Sequence, residues 1–72
     1  MTKQELTRSI EAHAGNSWPS ISTLARYLGK SREYVASTVV NGLDCLPDGK
    51  AKRFFAGDVA GRLIELRERH GG

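Results

Sequence analysis

The four residues Leu28-Gly29-Lys30-Ser31 constrain this chain more than any others, because a helix stop and a helix start fall within them. Upstream, Ile21, Leu24, Ala25 and Leu28 recur at i, i+3, i+4 and i+7, the apolar stripe of a short amphipathic helix, and Ser20 is placed to cap it. Gly29 ends that helix as a C′ glycine does, and Ser31 caps the next one two residues later. Two short helices joined by such a glycine turn read as a helix-turn-helix over residues 20–42. The second helix is then the one offered to a partner. With Val35 set inward and each residue stepping 100°, Val39 falls beside it and Thr38 on the flank, while Glu33, Ser37, Val40 and Asn41 point away.

The flanking segments supply a small scaffold. Thr2-Lys3-Gln4-Glu5 has the spacing of a capping box and predicts a helix over 2–14, with Leu6 and Ile10 as its apolar stripe. Gly15 and Asn16 end it, and His13 in its last turn suits the negative end of the helix dipole. Trp18 is expected in the core beside the start of the second helix, next to Pro19. Beyond Gly42 the pattern changes: Pro47-Asp48-Gly49 is a turn signal, and two short strands around it predict a hairpin over 43–55. Cys45 is expected there as a small, half-buried apolar residue. Asp58 is placed to cap a last helix over 58–70, with Val59, Leu63 and Leu66 inward and an outward Glu65 to Arg69 pair, before the frayed Gly71-Gly72.

Composition narrows the function. Seventy-two residues, 39% hydrophobic, describe one small domain, too short for most enzyme scaffolds. No glycine-rich phosphate loop or nucleophile with a local base is present, so no enzyme and no cofactor are expected. The lone Cys45 cannot make an intramolecular disulfide, and with His13 and His70 it has no metal-ligand spacing, so no metal is expected either. The expected home is reducing and cytoplasmic: no apolar run is long enough to span a bilayer, and Met1 to Glu5 do not resemble a signal peptide. A binding pocket would need more chain, so no small-molecule ligand is expected.

The net charge is +3, and all of it lies between Arg26 and Arg53, where six basic residues (Arg26, Lys30, Arg32, Lys50, Lys52 and Arg53) meet three acidic ones. Elsewhere five meet five. A charge of this size also serves solubility alone, so the local motif has to decide. The outward face of the third helix is small and polar, with Ala36 and Ser37, and fits a groove about 12 Å wide, while Arg32 can reach a guanine edge or a phosphate. Lys50, Lys52 and Arg53 cluster at the hairpin tip and returning arm, where a wing would lie along a phosphate backbone.

The run from Ile21 to Val35, with Ala25, Gly29 and Val35 at its helix-turn-helix positions, followed by Gly42-Leu43, Leu46-Pro47, the basic hairpin, Phe55 and Asp58-Val59, resembles the winged helix-turn-helix of the excisionase, AlpA and MerR-like group. The resemblance covers roughly residues 20–67. It departs from that pattern at Thr38, where a larger aliphatic is usual, and in the helix that precedes the motif. It implies a mainly α fold with a small β-hairpin wing, and a small phage or mobile-element protein that binds specific double-stranded DNA. Bending DNA for recombination, regulating a promoter and terminase-type recognition all share this scaffold. By position, Ser31, Arg32, Glu33, Ala36, Ser37, Val40 and Asn41 would belong to the recognition helix. Arg26, Lys30, Lys50, Lys52 and Arg53 would contact phosphates. A homodimer or a cooperative multimer on DNA is an open assembly.

The rival reading is a protein-interaction module on the same fold, binding a host or phage protein. Val40 and Ile64 support it, because both project away from the apolar stripes of their helices. Dimerisation explains the two residues equally well, and single exposed aliphatics are ordinary.

Overall fold

The computed structural model describes residues 2–49 and 51–69. Four helices and one hairpin follow in the order α1 (Lys3–Ala14), α2 (Ile21–Leu28), α3 (Arg32–Tyr34), β1 (Cys45–Asp48), β2 (Ala51–Phe54) and α4 (Ala56–Arg69). The molecule is mainly helical, and the two strands form one antiparallel sheet.

The local stop and start signals take their expected places. Thr2 caps α1 through a full capping box: its hydroxyl accepts from the Glu5 N–H at 3.1 Å, and the Glu5 carboxylate accepts from the Thr2 N–H at 3.0 Å. Ser20 caps α2 and Ser31 caps α3. Gly29 closes α2 with φ +68°, in the left-handed region where a Cβ is strained. Its N–H and that of Lys30 both reach the Ala25 carbonyl, which closes the helix end as the chain reverses.

α3 does not continue as a regular helix. It passes into a π-helical turn over Val35–Val39, in which the Val40 N–H reaches the Val35 carbonyl at 3.0 Å, five residues back. The helical segment therefore ends two residues short of the expected Asn41. Each π turn holds more residues than the 100° step allows, so the faces shift after Val35. Val40, expected outward, is turned inward and is 4% exposed.

The core lies where α1, α2, the 32–39 segment and α4 meet. Ile10, Leu24, Val35, Val39, Val59 and Ala60 are fully buried there, and Leu6, Ile21, Leu28, Leu63 and Leu66 pack against them. The stripes expected on α1, α2 and α4 are the ones that turn inward. α4, however, starts at Ala56, two residues before its expected cap. The Ala56 N–H bonds the Ser17 carbonyl, and the N–H groups of Asp58 and Val59 both reach the Phe55 carbonyl, so the helix begins directly off β2. Asp58 sits in the first turn instead, where a carboxylate still favours the helix dipole.

The hairpin is tied to the helices by its second strand. Phe54, 4% exposed, joins the core, and its N–H donates to the Pro19 carbonyl at 3.0 Å. Ser20 bridges Arg53, so residues 17–20 run beside β2 as a third, irregular strand. Alternation along that strand buries Pro19 and turns Trp18 outward, 38% exposed, which overturns the expectation that Trp18 belongs to the core. Its ring lies 5.4 Å from that of Phe55, which is also exposed. Cys45 is exposed rather than half-buried, because β1 is the outer strand and nothing covers it.

His13 is in the last turn of α1, where its ring meets Tyr27 edge-on at 5.3 Å, and the Tyr27 hydroxyl hydrogen-bonds Ser9 at 2.8 Å. These contacts seat α1 on α2. The Arg69 half of the expected Glu65 to Arg69 pair lies outside the described side chains, as do residues 70–72 altogether. No helix among the described residues is long and apolar enough to cross a membrane.

The capping box yields a test. The Thr2 backbone N–H, and after it the Thr2 side chain, hold the Glu5 carboxyl below its ordinary value of 4.5. A carboxyl whose folded value is depressed adds stability above the ordinary value and loses it as pH falls through the folded one. Glu5→Gln is therefore expected to melt at a lower temperature than the wild type at neutral pH, with the gap closing below 4.5. Thermal melts of both proteins across that range check it, and a gap independent of pH contradicts the assignment.

Candidate nucleic-acid interface

Three hollows meet along the outward side of the 32–39 segment. The largest, a cleft of about 640 Å³, runs between this segment, the start of α2 and β2, and is lined by Ser20, Ile21, Ser22, Arg32, Glu33, Ala36, Ala51 and Lys52. A second of about 230 Å³ continues it past Ala36 and Lys52 to Asn41, Leu43, Cys45 and Phe54. A third of about 380 Å³ opens on the far side of Arg32, beside Ser22, Arg26, Lys30 and Ser31.

Local structure explains why these side chains face out. Ser31 spends its hydroxyl on the cap, accepting from the Tyr34 N–H at 3.1 Å. Arg32 and Glu33 follow in the first turn, before Val35 turns inward, and both are exposed. Ala36 is exposed one residue after buried Val35 and leaves the cleft open through its small size. Ser37 is exposed, and its hydroxyl donates to the Glu33 carbonyl at 2.7 Å. Its lone pairs remain to accept.

Of the seven positions expected on the recognition helix, the structure places Ser31, Arg32, Glu33, Ala36, Ser37 and Asn41 at the surface. Val40 is the exception: it is 4% exposed and packed in the core, and only its edge reaches the floor of the second hollow. The same burial removes it as a protein-contact residue. Ile64 is half-buried, beside Leu6, Tyr27, Leu28 and Leu63 in a small hollow away from the cleft.

The cations divide between two faces. Arg26 and Lys30 are exposed at the turn, with the Lys30 ammonium 5.7 Å from the Tyr34 ring centroid. Lys52 is exposed and lines the cleft wall opposite Arg32. Arg53, next in sequence, is half-buried, and its guanidinium donates to the Trp18 carbonyl at 3.2 Å, which braces residues 17–20 against β2. It pairs with Leu46 across the sheet, and Leu46, Trp18 and Phe55 are all exposed around it. Lys50, expected at the tip, lies outside the described residues.

One residue with no motif behind it belongs to this region. Arg62 of α4 donates from Nη1 to the carbonyls of Thr38 at 3.3 Å and Asn41 at 2.9 Å, at the end of the π turn. Its Nε lies 3.8 Å from the Glu65 carboxylate. Its acceptors are backbone atoms 24 and 21 residues away, so no residue pattern announces the contact.

The cleft therefore offers guanidinium and ammonium donors, one carboxylate acceptor and small side chains between them. Among the described residues no group of three or more histidines, cysteines or carboxylates can hold a metal ion. Compared with known proteins, the chain matches no family model, no curated protein and no solved structure.

The shifted phase of the π turn is open to measurement. Val40→Ala is expected to cost about 2 kcal/mol, the low end for a large-to-small core change, whereas Ser37→Ala, on the exposed face, should stay within about 0.5 kcal/mol of wild type. Urea unfolding of the two variants gives both values, and a neutral Val40→Ala would return that residue to the surface.

Proposed function

We infer that the protein is a sequence-specific double-stranded DNA-binding protein of winged helix-turn-helix type. On this reading α3 and its π turn enter the major groove, with the hairpin as wing. The observation that carries it is the cleft itself: Arg32, Glu33 and Ala36 from one wall and Lys52 from the other face the same open space. Small residues between charged ones suit close approach to a base-pair edge. Arg32 has the reach for a guanine, while Arg26, Lys30 and Lys52 flank the segment at positions suited to phosphates. Ser31, Glu33, Ser37 and Asn41 supply the remaining polar surface of the reading face.

The resemblance to the excisionase, AlpA and MerR-like group makes a recombination directionality factor or a transcriptional regulator, of phage or mobile-element origin and acting in the cytoplasm, the roles to test first. The protein carries out no catalysis on this reading and uses no cofactor. A second reading, a protein-contact module, draws on the exposed Leu46, Trp18 and Phe55 around Arg53, on the other face of the hairpin from Lys52.

The test is fluorescence anisotropy against a randomised duplex pool over a salt series, followed by sequencing of the retained DNA. Affinity that falls steeply with salt, together with an enriched motif, is the expected result. Arg32→Ala should then lose about 1 to 3 kcal/mol on the enriched motif only, and Lys52→Ala should weaken motif and random duplex alike and reduce the salt slope by about one. Equal losses at the two positions would remove the division of roles. No binding at low salt would remove the DNA reading.

A further inference from the structure

We propose that Arg62 is a positioning residue that holds the groove-facing segment in its π register and so decides which side chains the cleft presents. The proposal rests on the DNA-binding reading for its consequence, but the geometry beneath it is independent of any ligand.

A π turn is a less favourable geometry than the α-helix it replaces, and it persists where surrounding contacts favour it. Here the turn has two such supports. One is burial: the wider turn brings Val40 inward beside Val35 and Val39, all 4% exposed or less. The other is Arg62. The last carbonyls of any helix lack intrahelical partners; that of Thr38, in the last turn, and that of Asn41, just beyond the helix end, are met by the same guanidinium nitrogen. Nη1 carries two hydrogens, one for each carbonyl, and the positive charge lies at the negative end of the segment's dipole.

Arg62 is itself held. Its side chain is 24% exposed, its stem rises from the middle of α4, and Glu65 one turn further on draws Nε from the other side. The packed body of α4 is thereby linked to the end of the groove-facing segment.

Two registers of that segment differ in what they show. Continued as a regular α-helix, residues 35–40 would follow the 100° step and present Val40 outward beside Ser37. In the π register Val40 is in the core, and Ala36, Ser37 and Asn41 form the surface. An aliphatic side chain and a polar one read different base edges, so register is specificity. Arg62 stands behind the segment and touches no partner in doing this.

Two variants test the proposal, at a temperature where circular dichroism shows both folded. Arg62→Met keeps the apolar stem and removes the donors, and Arg62→Lys keeps the charge without the planar pair of N–H groups. Amide exchange is read at Val40 and Leu43, whose N–H groups bond the Val35 and Val40 carbonyls, and compared with α1 and the rest of α4. The expected result is protection lowered about tenfold or more at Val40 and Leu43 in Arg62→Met, with α1 and α4 unchanged. Discrimination between the enriched motif and random duplex should fall by a similar factor, about tenfold. Arg62→Lys should match wild type on random duplex and in salt slope while still discriminating less well. Wild-type protection and base preference in both variants would overturn the proposal. So would protection lost evenly through α1 and α4, which marks a merely structural role. Should Arg62→Met not fold, Arg62→Lys carries both readouts. A wild type that binds no duplex removes the DNA reading, and the exchange pattern still decides whether Arg62 holds the segment.

Discussion

The structure depends on two backbone hydrogen bonds that join chain segments more than thirty residues apart: Phe54 N–H to the Pro19 carbonyl and Ala56 N–H to the Ser17 carbonyl. A two-stranded hairpin is at best marginal in water by itself, and the strands here are four residues each. Pairing β2 with residues 17–20 gives the hairpin a third strand, and Phe54 gives it a share of the core. The same bonds set where α4 begins and which way α2 leaves Ser20. The cleft is a consequence, because its two walls are the start of α2 with α3 on one side and β2 on the other.

How much of this is legible in the sequence follows from how local each cause is. The caps at Thr2, Ser20 and Ser31 and the stop at Gly29 act within a few residues, and they fall where the sequence puts them. The hairpin is legible for the same reason, although Pro47 and Asp48 stay in β1, paired with Lys52 and Ala51, and of the three turn residues only Gly49 leaves the strand; so are the inward stripes of α1, α2 and α4. Trp18 is not, because its outward direction depends on alternation in a strand that exists only once β2 lies beside it. Asp58 looks like a cap until the Ser17 carbonyl starts the helix two residues early. Val40 is misplaced by a uniform step of 100° along a helix that changes its own period at Val35.

The candidate site divides in the same way. Arg32 and Glu33 are legible because they lie in the first turn after a clear cap, before the period changes, and Ala36 because it follows the inward Val35 too closely for the change to move it far. Lys52 is legible from the charge cluster, but charge alone does not separate it from Arg53. The strand period of two does, sending Lys52 to the cleft and Arg53 to the Trp18 carbonyl. Arg62 escapes any reading of side-chain patterns, since what it meets is main chain. A short helix, six exposed polar or small positions and a paired basic arm are modest means. On the DNA-binding reading they would suffice, because the phosphates would supply affinity and a few base contacts choice.

The central claim is that the cleft between the 32–39 segment and β2 is the surface that meets duplex DNA. The most direct measurement is an NMR titration of the labelled protein with duplex DNA, following every backbone amide. The account predicts the largest shifts at Ser22, Arg32, Glu33, Ala36, Ala51 and Lys52, which line the cleft, with α1 and the Leu46, Trp18 and Phe55 face nearly still. Shifts gathered on that apolar face instead, or an unmoved spectrum at saturating DNA, would contradict it.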